Sequence, residues 1–280
     1  MIKILWLIAL MAGSLAGVLV AAEPNTLTAA ERAAGWKSLF DGKTLNGWVD
    51  PAKQTPPGDS FRVVDGMIAS TAKPKFREDM LTTEKFKNFE LRFEWKISPG
   101  GNSGVKYLVQ DTAIIHPSLL PAKPIAKFED RMDYLLRSAK RPLRSSVPAD
   151  GQVEIYQVAF EYQVIDNTAH ADAKRSQKSW AGALYQLIAP VGAGPKPVGE
   201  WNEGRIVVRG DCIEHWLNGV KVVDASLNDA AVPDGLAARW TTKGRVYELL
   251  TQRAKRTGPI VLQNHDDAAW YRNLKIRRLP

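Results

Sequence analysis

The sequence predicts an all-β fold of the sandwich or barrel kind, and three observations support this. Apolar and polar residues alternate over several short runs, which is the pattern of half-buried strands. Turn-forming residues separate these runs, and one Asn-Gly pair between two β-rich runs is a strong hairpin signal. The runs do not alternate with credible amphipathic helices, so the pattern is not that of a parallel α/β fold.

The predicted strands follow one another along the chain. From Leu91 to Ile97 apolar residues alternate with charged ones, and the same alternation recurs from Phe160 to Val164. The pair Asn218-Gly219 divides the run from Cys212 to Val223 into the two strands of a hairpin. The last strand is predicted from Trp270 to Leu279.

The N-terminus has the order of a secretory signal peptide. Lys3 precedes an apolar run from Ile4 to Val20, and the small residues at 21 and 22 precede Glu23-Pro24. This order predicts cleavage after Ala22 and a periplasmic or secreted protein, with a retained anchor of about 17 residues as the alternative. Cys212 is the only cysteine, so we expect the chain to fold without an internal disulfide.

The remaining residues, 23–280, are enough for a single sandwich domain with one insertion. The stretch from Asp111 to Gly151 is rich in proline and basic residues and does not fit the strand pattern. We interpret it as a solvated surface loop with one short helix from Phe128 to Ser138, and a lid over the binding face is the alternative. The formal net charge of +8 has no nucleic-acid-binding motif beside it, so no nucleic-acid partner is expected.

Several blocks of the sequence resemble a known family. The block from Gly35 to Trp48 (GWKSLFDGKTLNGW) resembles the opening signature of the 3-keto-disaccharide hydrolase family. Later blocks resemble that family in the same order, and they begin at Phe61, Asn88, Gly101, Glu161, Gly182, Gly199, His215, Gly258 and Tyr271. The two departures are the length of the 111–151 stretch and Lys106, which stands where the family often has an arginine.

The resemblance implies a concanavalin-like two-sheet β-sandwich, or jelly roll, with one sheet face open to a sugar. It also implies an exported carbohydrate-active hydrolase that cleaves the glycosidic bond of 3-keto-glycosides or 3-keto-disaccharides. A carbonyl at C3 makes the C2 proton acidic, so the bond can break by acid/base-assisted elimination and hydration. Direct hydrolysis by two carboxylates is the other route. The alternatives are a non-catalytic glycan-binding lectin-like module and a plain glycosidase for unoxidised sugar.

Three ionisable residues are the candidates for catalysis: Glu161, Asp166 and His265. Strand alternation places Glu161 and Gln163 on one face and Tyr162 in the core, whereas Asp166 joins that face only if the strand bulges or ends there. The spacing is similar to the Glu-x-Asp-x-x-Glu motif of lectin-like retaining glycosidases, with Gln163 in place of the middle acid. His265 precedes two acids and can act as a base, with a hydrogen-bonded loop histidine as the alternative.

The predicted substrate-binding residues are polar side chains near the same face, and aromatic rings on which a sugar can stack. They are Asn102, Ser103, Lys106, Gln163, Trp180, Tyr185 and Arg272. For Asn102 and Ser103 the alternative is a turn after a strand. The amide of Gln163 offers both a donor and an acceptor to a hydroxyl. Arg272 is assigned to a developing oxyanion, with an ion pair to an acid as the alternative.

The sequence requires no cofactor. A divalent cation held by Glu161, Asp166 or His265 is the alternative to the arginine as electrophile. The expected partner is an oligosaccharide or glycoside, and no stable membrane insertion is expected after signal cleavage. His215 alternates with apolar residues, so we expect it to be a packed structural histidine.

Overall fold

Strands contribute more residues than helices to the described part of the chain, and most of the helices lie between strands in the sequence. A computed structural model describes residues 23–51, 59–74, 77–138, 147 and 153–280. The strands are β1 (Lys37–Ser38), β2 (Trp48–Val49), β3 (Phe61–Val64), β4 (Met67–Ser70), β5 (Arg77–Glu78), β6 (Met80–Thr82), β7 (Phe89–Ile97), β8 (Asn102–Ile115), β9 (Glu154–Ile165), β10 (Asn202–Arg209), β11 (Cys212–Leu217), β12 (Val220–Ser226), β13 (Val261–Leu262) and β14 (Ala269–Arg278). The helices are α1 (Ala29–Ala33), α2 (Phe128–Arg137), α3 (Ala171–Arg175), α4 (Ala231–Trp240) and α5 (Arg245–Gln252), with short 3-10 turns at Pro117–Leu119 and Gln177–Ser179.

Some predictions fall outside these ranges. The predicted signal peptide at 1–22 and most of the second half of the 111–151 stretch lie outside the described residues. Within the ranges that are described, none of the helices has the length and apolar character needed to cross a membrane.

The strands form two sheets among the described residues. One sheet has eight strands in the order β12-β11-β10-β7-β14-β4-β3, with β1 also paired to β14. The other has six strands in the order β2-β6-β13-β8-β9-β5. The neighbouring long strands β8 and β9 are antiparallel, while β5 runs parallel to β9. The prediction of an all-β two-sheet sandwich is confirmed.

Alternate residues of facing strands build the core between the sheets. Phe93 on β7 packs edge-on against Tyr162 on β9, with ring centroids 5.3 Å apart. The hydroxyl of Tyr107 lies 2.8 Å from Nε2 of His215, and burial lowers the pKa of His215 to about 4. His215 is therefore a neutral core residue, and the prediction of a structural histidine is confirmed.

The predicted strands and hairpin are present. The runs around 91–97, 160–164 and 270–279 correspond to β7, β9 and β14. Asn218 and Gly219 have φ values of 50° and 82°, as a tight turn between β11 and β12 requires. The short helix predicted from Phe128 to Ser138 is α2, whereas Asp111 to Ile115 continue strand β8 instead of starting a loop.

Two helices between β12 and β13 were not predicted. The sequence of α4 contains Pro233 and Gly235, which weaken a helix signal, but Pro233 lies in the first turn, where its missing N–H has no partner to lose. In α5 the buried residues Val246 and Leu250 are one turn apart. Helices α2, α4 and α5 contact one another, and α2 and α5 also contact β8. We call these three helices the helical cap.

Candidate active site

A cavity of about 360 Å³ lies where the helical cap meets the six-stranded sheet. Its walls come from the sheet, from the cap and from the segments around α3 and after β13. They are Arg77, Asn102, Phe128, Arg131, Glu154, Tyr156, Glu161, Gln163, Asp172, Tyr185, Arg239, Gln263 and His265. This volume lies within the range of about 300–1,000 Å³ that is usual for small-molecule sites. We call it the central cavity.

Strand geometry directs Glu161 into the central cavity. Lys106 on β8 is the antiparallel partner of Glu161 on β9, so their side chains share one face of the sheet. Gly104, two residues earlier on β8, leaves room for the carboxylate. A Cβ atom at Gly104 would lie 2.7 Å from Cδ and 2.9 Å from Cγ of Glu161. The glycine is therefore required for the position of Glu161.

Burial makes Glu161 an unusual carboxyl group. Its side chain is 8% exposed, and loss of hydration raises its pKa to about 7, a rise that Asp79 increases and that Lys106 and Arg239 oppose. The positive charge of Lys106 is shared between Glu161 and Asp79, because its Nζ donates to Oδ2 of Asp79 at 2.8 Å. Both members of this ion pair are buried, and the two carboxylates keep the pKa of Lys106 above its ordinary value although burial opposes this. Near neutral pH, Glu161 can therefore exist in both protonation states.

Two amide side chains line the same wall. When its amide nitrogen is turned toward the neighbouring acceptors, Gln163 donates to Oε1 of Glu161 and to the carbonyl of Ser103, each at 3.1 Å. Asn102 lies across the strand pair, and its backbone N–H donates to Oδ2 of Asp267 at 3.1 Å. In this orientation the oxygen of Gln163 faces the side chain of Asn102 at 3.3 Å, and both residues line the cavity.

His265 lies on the wall beside a second histidine. Burial and the positive charge of Arg77 lower the pKa of His265 below its ordinary value. Its ring centroid is 6.1 Å from that of His170, and the ligand atoms of His170, His265 and Asp267 all lie within 4.8 Å of one another. Of the described residues, these three form the group that can hold a metal ion. It contains His265, one of the three residues predicted as possible cation ligands, and neither Glu161 nor Asp166.

Arg239 of the helical cap brings a positive charge to the cavity. Its Cζ lies 5.6 Å from the ring centre of Tyr185 and 4.7 Å from that of Trp240. Nearby tyrosines and acids, Glu161 among them, outweigh burial and raise the pKa of Arg239. Burial also raises the pKa of Tyr185 to about 12, so its hydroxyl stays protonated. Arg239 was not predicted, because helix α4 was not.

Five of the predicted site residues line the central cavity: Asn102, Glu161, Gln163, Tyr185 and His265. The structure places Asp166 elsewhere. Its carboxylate accepts hydrogen bonds from the N–H groups of Gly100 (2.8 Å), Thr168 (2.8 Å) and Ala169 (3.1 Å). Burial would raise the pKa of Asp166, but these bonds and the Thr168 hydroxyl outweigh it and lower the pKa. The strand ends at Ile165 without the bulge that would turn Asp166 toward Glu161, and the carboxylate of Asp166 instead bonds the backbone of two turns.

Ser103 and Arg272 are also outside the cavity. Ser103 is fully buried on the core face of β8, where its hydroxyl contacts the carbonyl of Gln263 (2.7 Å) and the hydroxyl of Tyr271 (2.6 Å). Arg272 lies on the eight-stranded sheet, where its Nε donates to Glu94 at 2.7 Å. Arg272 thus makes the ion pair that was the alternative to the oxyanion role.

Lys106 and Trp180 lie near the cavity but take structural contacts. Lys106 is only 3% exposed and lies beneath the wall, paired with Asp79. The indole N–H of Trp180 donates to the carbonyl of Ala173 at 3.0 Å, and the ring packs against the core. Trp180 therefore anchors helix α3 instead of presenting a stacking face to the cavity.

The chain is similar in sequence to a curated relative and in structure to several solved proteins. It is 32% identical over 274 residues to a 3-keto-disaccharide hydrolase from Bacteroides thetaiotaomicron, an alignment that covers 93% of this chain and 84% of the relative. A crystal structure of a candidate glycosyl hydrolase from Parabacteroides distasonis has a TM-score of 0.66 at 24% identity, covering 92% of this chain and 100% of that one. A second structure from the same organism has a TM-score of 0.53 at 24% identity, covering 87% and 99%.

These similarities bear on the fold, the family and the enzyme class of the protein. The two solved structures support the fold, and the relative from Bacteroides thetaiotaomicron indicates that the protein is a hydrolase. Residues 35–277 match the model of a family described as the 3-keto-alpha-glucoside-1,2-lyase-like domain. The match spans most of the chain, and the protein belongs to this family.

Proposed function

We propose that this protein cleaves the glycosidic bond of a 3-keto-glycoside or 3-keto-disaccharide by elimination followed by hydration. The observation that carries the proposal is Glu161, a buried carboxyl group with a pKa of about 7 that faces a polar cavity. The family description names a 1,2-lyase and the relative is named a hydrolase. Elimination across C1 and C2, followed by addition of water to the same bond, is a net hydrolysis, so both names suit this route.

The C3 carbonyl determines which proton is removed. Ionised Glu161 takes the proton from C2, and the electron pair of the C2–H bond forms the enolate of the ketone. That electron pair then forms the C1–C2 double bond as the C1–O bond breaks, and the leaving oxygen takes up a proton. Water afterwards adds its hydroxyl to C1 and a proton to C2, so that the atoms and charges balance.

Charge develops on the C3 oxygen during the first step. Arg239 is the cationic side chain of the cavity that is coupled electrostatically to Glu161. We assign it to the enolate oxygen, where a fixed cation in a partly buried site stabilises the transition state. Gln163 and Asn102 bind sugar hydroxyls, and the ring of Tyr185 provides a surface for the sugar C–H face.

The space around the central cavity suits a substrate with two sugar units. An outer groove of about 740 Å³ shares Asp172, Tyr185 and Arg239 with the central cavity. The ketone-bearing ring fits the central cavity beside Glu161, and the leaving sugar then extends into the outer groove. Arg239 and Tyr185 stand between the two units in this arrangement.

Export is part of the proposal. The basic residue Lys3, the apolar run from Ile4 to Val20 and the small residue Ala22 support a signal peptide and a periplasmic or secreted location. N-terminal sequencing of the protein recovered from the periplasm and the medium tests this. A mature N-terminus at Glu23 supports export, whereas an intact Met1 in the cytoplasm contradicts it.

The function is tested with a 3-keto-glucoside beside its unoxidised parent. We expect turnover of the keto sugar and none of the parent, because only the ketone acidifies the C2 proton. We take removal of the C2 proton as the rate-limiting step, so the same keto sugar carrying deuterium at C2 should react more slowly. Equal turnover of both sugars would favour a plain glycosidase, and equal rates for the C2–H and C2–D substrates would favour direct hydrolysis.

A further inference from the structure

We propose that His170, His265 and Asp267 form a binding site for a divalent transition-metal ion at the wall of the central cavity. The three side chains come from two segments far apart in sequence. His170 precedes helix α3, and His265 and Asp267 lie between β13 and β14. Their ligand atoms lie within 4.8 Å of one another, close enough for small rotations of the side chains to bring all three onto one ion.

The surroundings orient Asp267 and leave His265 able to bind an ion. Asp267 is oriented by the backbone N–H of Asn102, which donates to Oδ2 at 3.1 Å and leaves Oδ1 for an ion. Neither ring nitrogen of His265 is hydrogen-bonded to the part of the chain that the structure describes. A backbone donor to a ligating carboxylate is a usual form of outer-shell support at metal sites.

The ligand types select a class of ion. Two imidazoles and one carboxylate suit Zn²⁺, Ni²⁺, Co²⁺ and Mn²⁺, whereas Mg²⁺ and Ca²⁺ prefer sites made of oxygen. The charges nearby oppose one another, because Arg77 repels a cation at His265 while Asp267 and Glu154 attract it. Arg77 is itself paired with Glu154 and Asp266, which reduces its repulsion.

Binding has a cost at His170. Nδ1 of its ring accepts the N–H of Asp172 at 3.1 Å and so caps helix α3. An ion on Nδ1 displaces this N–H, and an ion on Nε2 requires the ring proton to move to Nδ1, so the cap bond is lost in either case. The loss of one capping hydrogen bond is a small cost beside the binding of a transition metal.

Metal binding can be measured without substrate, so its test does not depend on whether the proposed reaction is correct. If the ion binds, His265 serves as a ligand and not as the base that the sequence suggested. Glu161 lies outside the group of three ligands, so its proton-transfer role is unaffected. If the protein binds no metal, the proposed function is unaffected. If the protein does not turn over a 3-keto-glucoside, the proposed metal site is unaffected.

The test is isothermal titration calorimetry of the purified protein, without an affinity tag, with ZnCl₂, MnCl₂ and MgCl₂. We expect saturable binding of one Zn²⁺ per chain, weaker binding of Mn²⁺ and no resolved binding of Mg²⁺. Asp267→Asn and His170→Asn should each weaken Zn²⁺ binding by at least about tenfold, since even outer-shell changes cost about 10–100-fold. Asn at position 170 retains a good helix cap, and Asn at position 267 retains an acceptor for the Asn102 N–H.

The neighbouring carboxylate provides a matched control. Asp266 is paired with Arg77 and is not one of the three ligands. Asp266→Asn removes the same charge one residue away, and we expect its Zn²⁺ affinity to stay within about threefold of the wild type, as for a screened surface charge. Absence of one-to-one Zn²⁺ binding by the wild type would overturn the proposal, as would equal losses in Asp267→Asn and Asp266→Asn.

Discussion

Replacing Glu161 with glutamine separates catalysis from stability. Glutamine has nearly the same shape and can still hydrogen-bond a hydroxyl, but it cannot take up or release a proton. If Glu161 removes the C2 proton, Glu161→Gln should lower kcat by roughly 10²–10⁴-fold, or about 3–5 kcal/mol of transition-state stabilisation. The Kd for the substrate should change far less, because the hydrogen bond remains.

The same substitution should stabilise the fold at alkaline pH. The pKa of Glu161 rises from an ordinary value of 4.5 to about 7 in the folded protein, so folding favours the protonated carboxyl. Its contribution to stability is fully present below about pH 4.5 and is lost as the pH rises through about 7. At about 1.4 kcal/mol per pH unit, ionised Glu161 costs up to about 3 kcal/mol, and glutamine removes this cost. The melting temperature of Glu161→Gln should therefore exceed that of the wild type by more at pH 8 than at pH 5.

The assay is turnover of a 3-keto-glucoside together with melting temperature, measured from pH 5 to pH 9. For the wild type, kcat/KM should rise with pH to a plateau, with a midpoint near the pKa of Glu161 at about 7. Glu161 is not the base if Glu161→Gln has wild-type turnover, and its ionised form does not destabilise the fold if the variant melts at a lower temperature than the wild type at pH 8.

Three further predictions concern position, charge and turn structure. Gly104→Ala should lower kcat by up to about 10²-fold with an intact fold, because the methyl group of the alanine displaces the side chain of Glu161. An unchanged kcat would mean that Glu161 can accommodate this methyl group. Arg239→Met should lower kcat by about 10²–10³-fold, because Arg239 stabilises the enolate oxygen. Arg272→Met, on the eight-stranded sheet, should leave kcat unchanged. Equal losses of kcat in the two variants would contradict the assignment of Arg239 to the enolate oxygen. Asp166→Ala should reduce the free energy of unfolding by about 1–3 kcal/mol in urea titration and leave kcat largely unchanged; a large loss of kcat would restore Asp166 as a catalytic candidate.

The sheet side of the cavity could be predicted because strand alternation is a local property. The pattern around Glu161 and Gln163 places both side chains on the face opposite Tyr162, and the structure has them there. The same rule, applied to β8, separates Asn102 from Ser103, which is buried on the core face. Ser103 was predicted from a resemblance between blocks, and a block does not distinguish the two faces of a strand.

The residues that the helical cap and the loops bring to the central cavity could not be predicted in the same way. Helix α4 contains Pro233 and Gly235, so local propensity argues against it, and its stability comes from packing on the rest of the fold. Arg239 reaches the cavity only because α4 and α5 pack together beside β9. His170 and His265 are 95 positions apart in the chain, and only the tertiary fold brings their rings to 6.1 Å. These contacts have no signal in a single sequence.

The pKa of Glu161 is also a tertiary property, because it depends on how one buried cation is shared. Lys106 lies between two buried carboxylates, Asp79 and Glu161, and one positive charge cannot offset two negative charges. Asp79 has the direct bond from Lys106 at 2.8 Å, and it also accepts the N–H of Asn264 at 3.3 Å. Glu161 interacts with Lys106 only through space, so burial dominates its ionisation. The Asp79–Lys106 pair thus keeps Glu161 able to exchange a proton near neutral pH, although neither member of the pair touches the cavity.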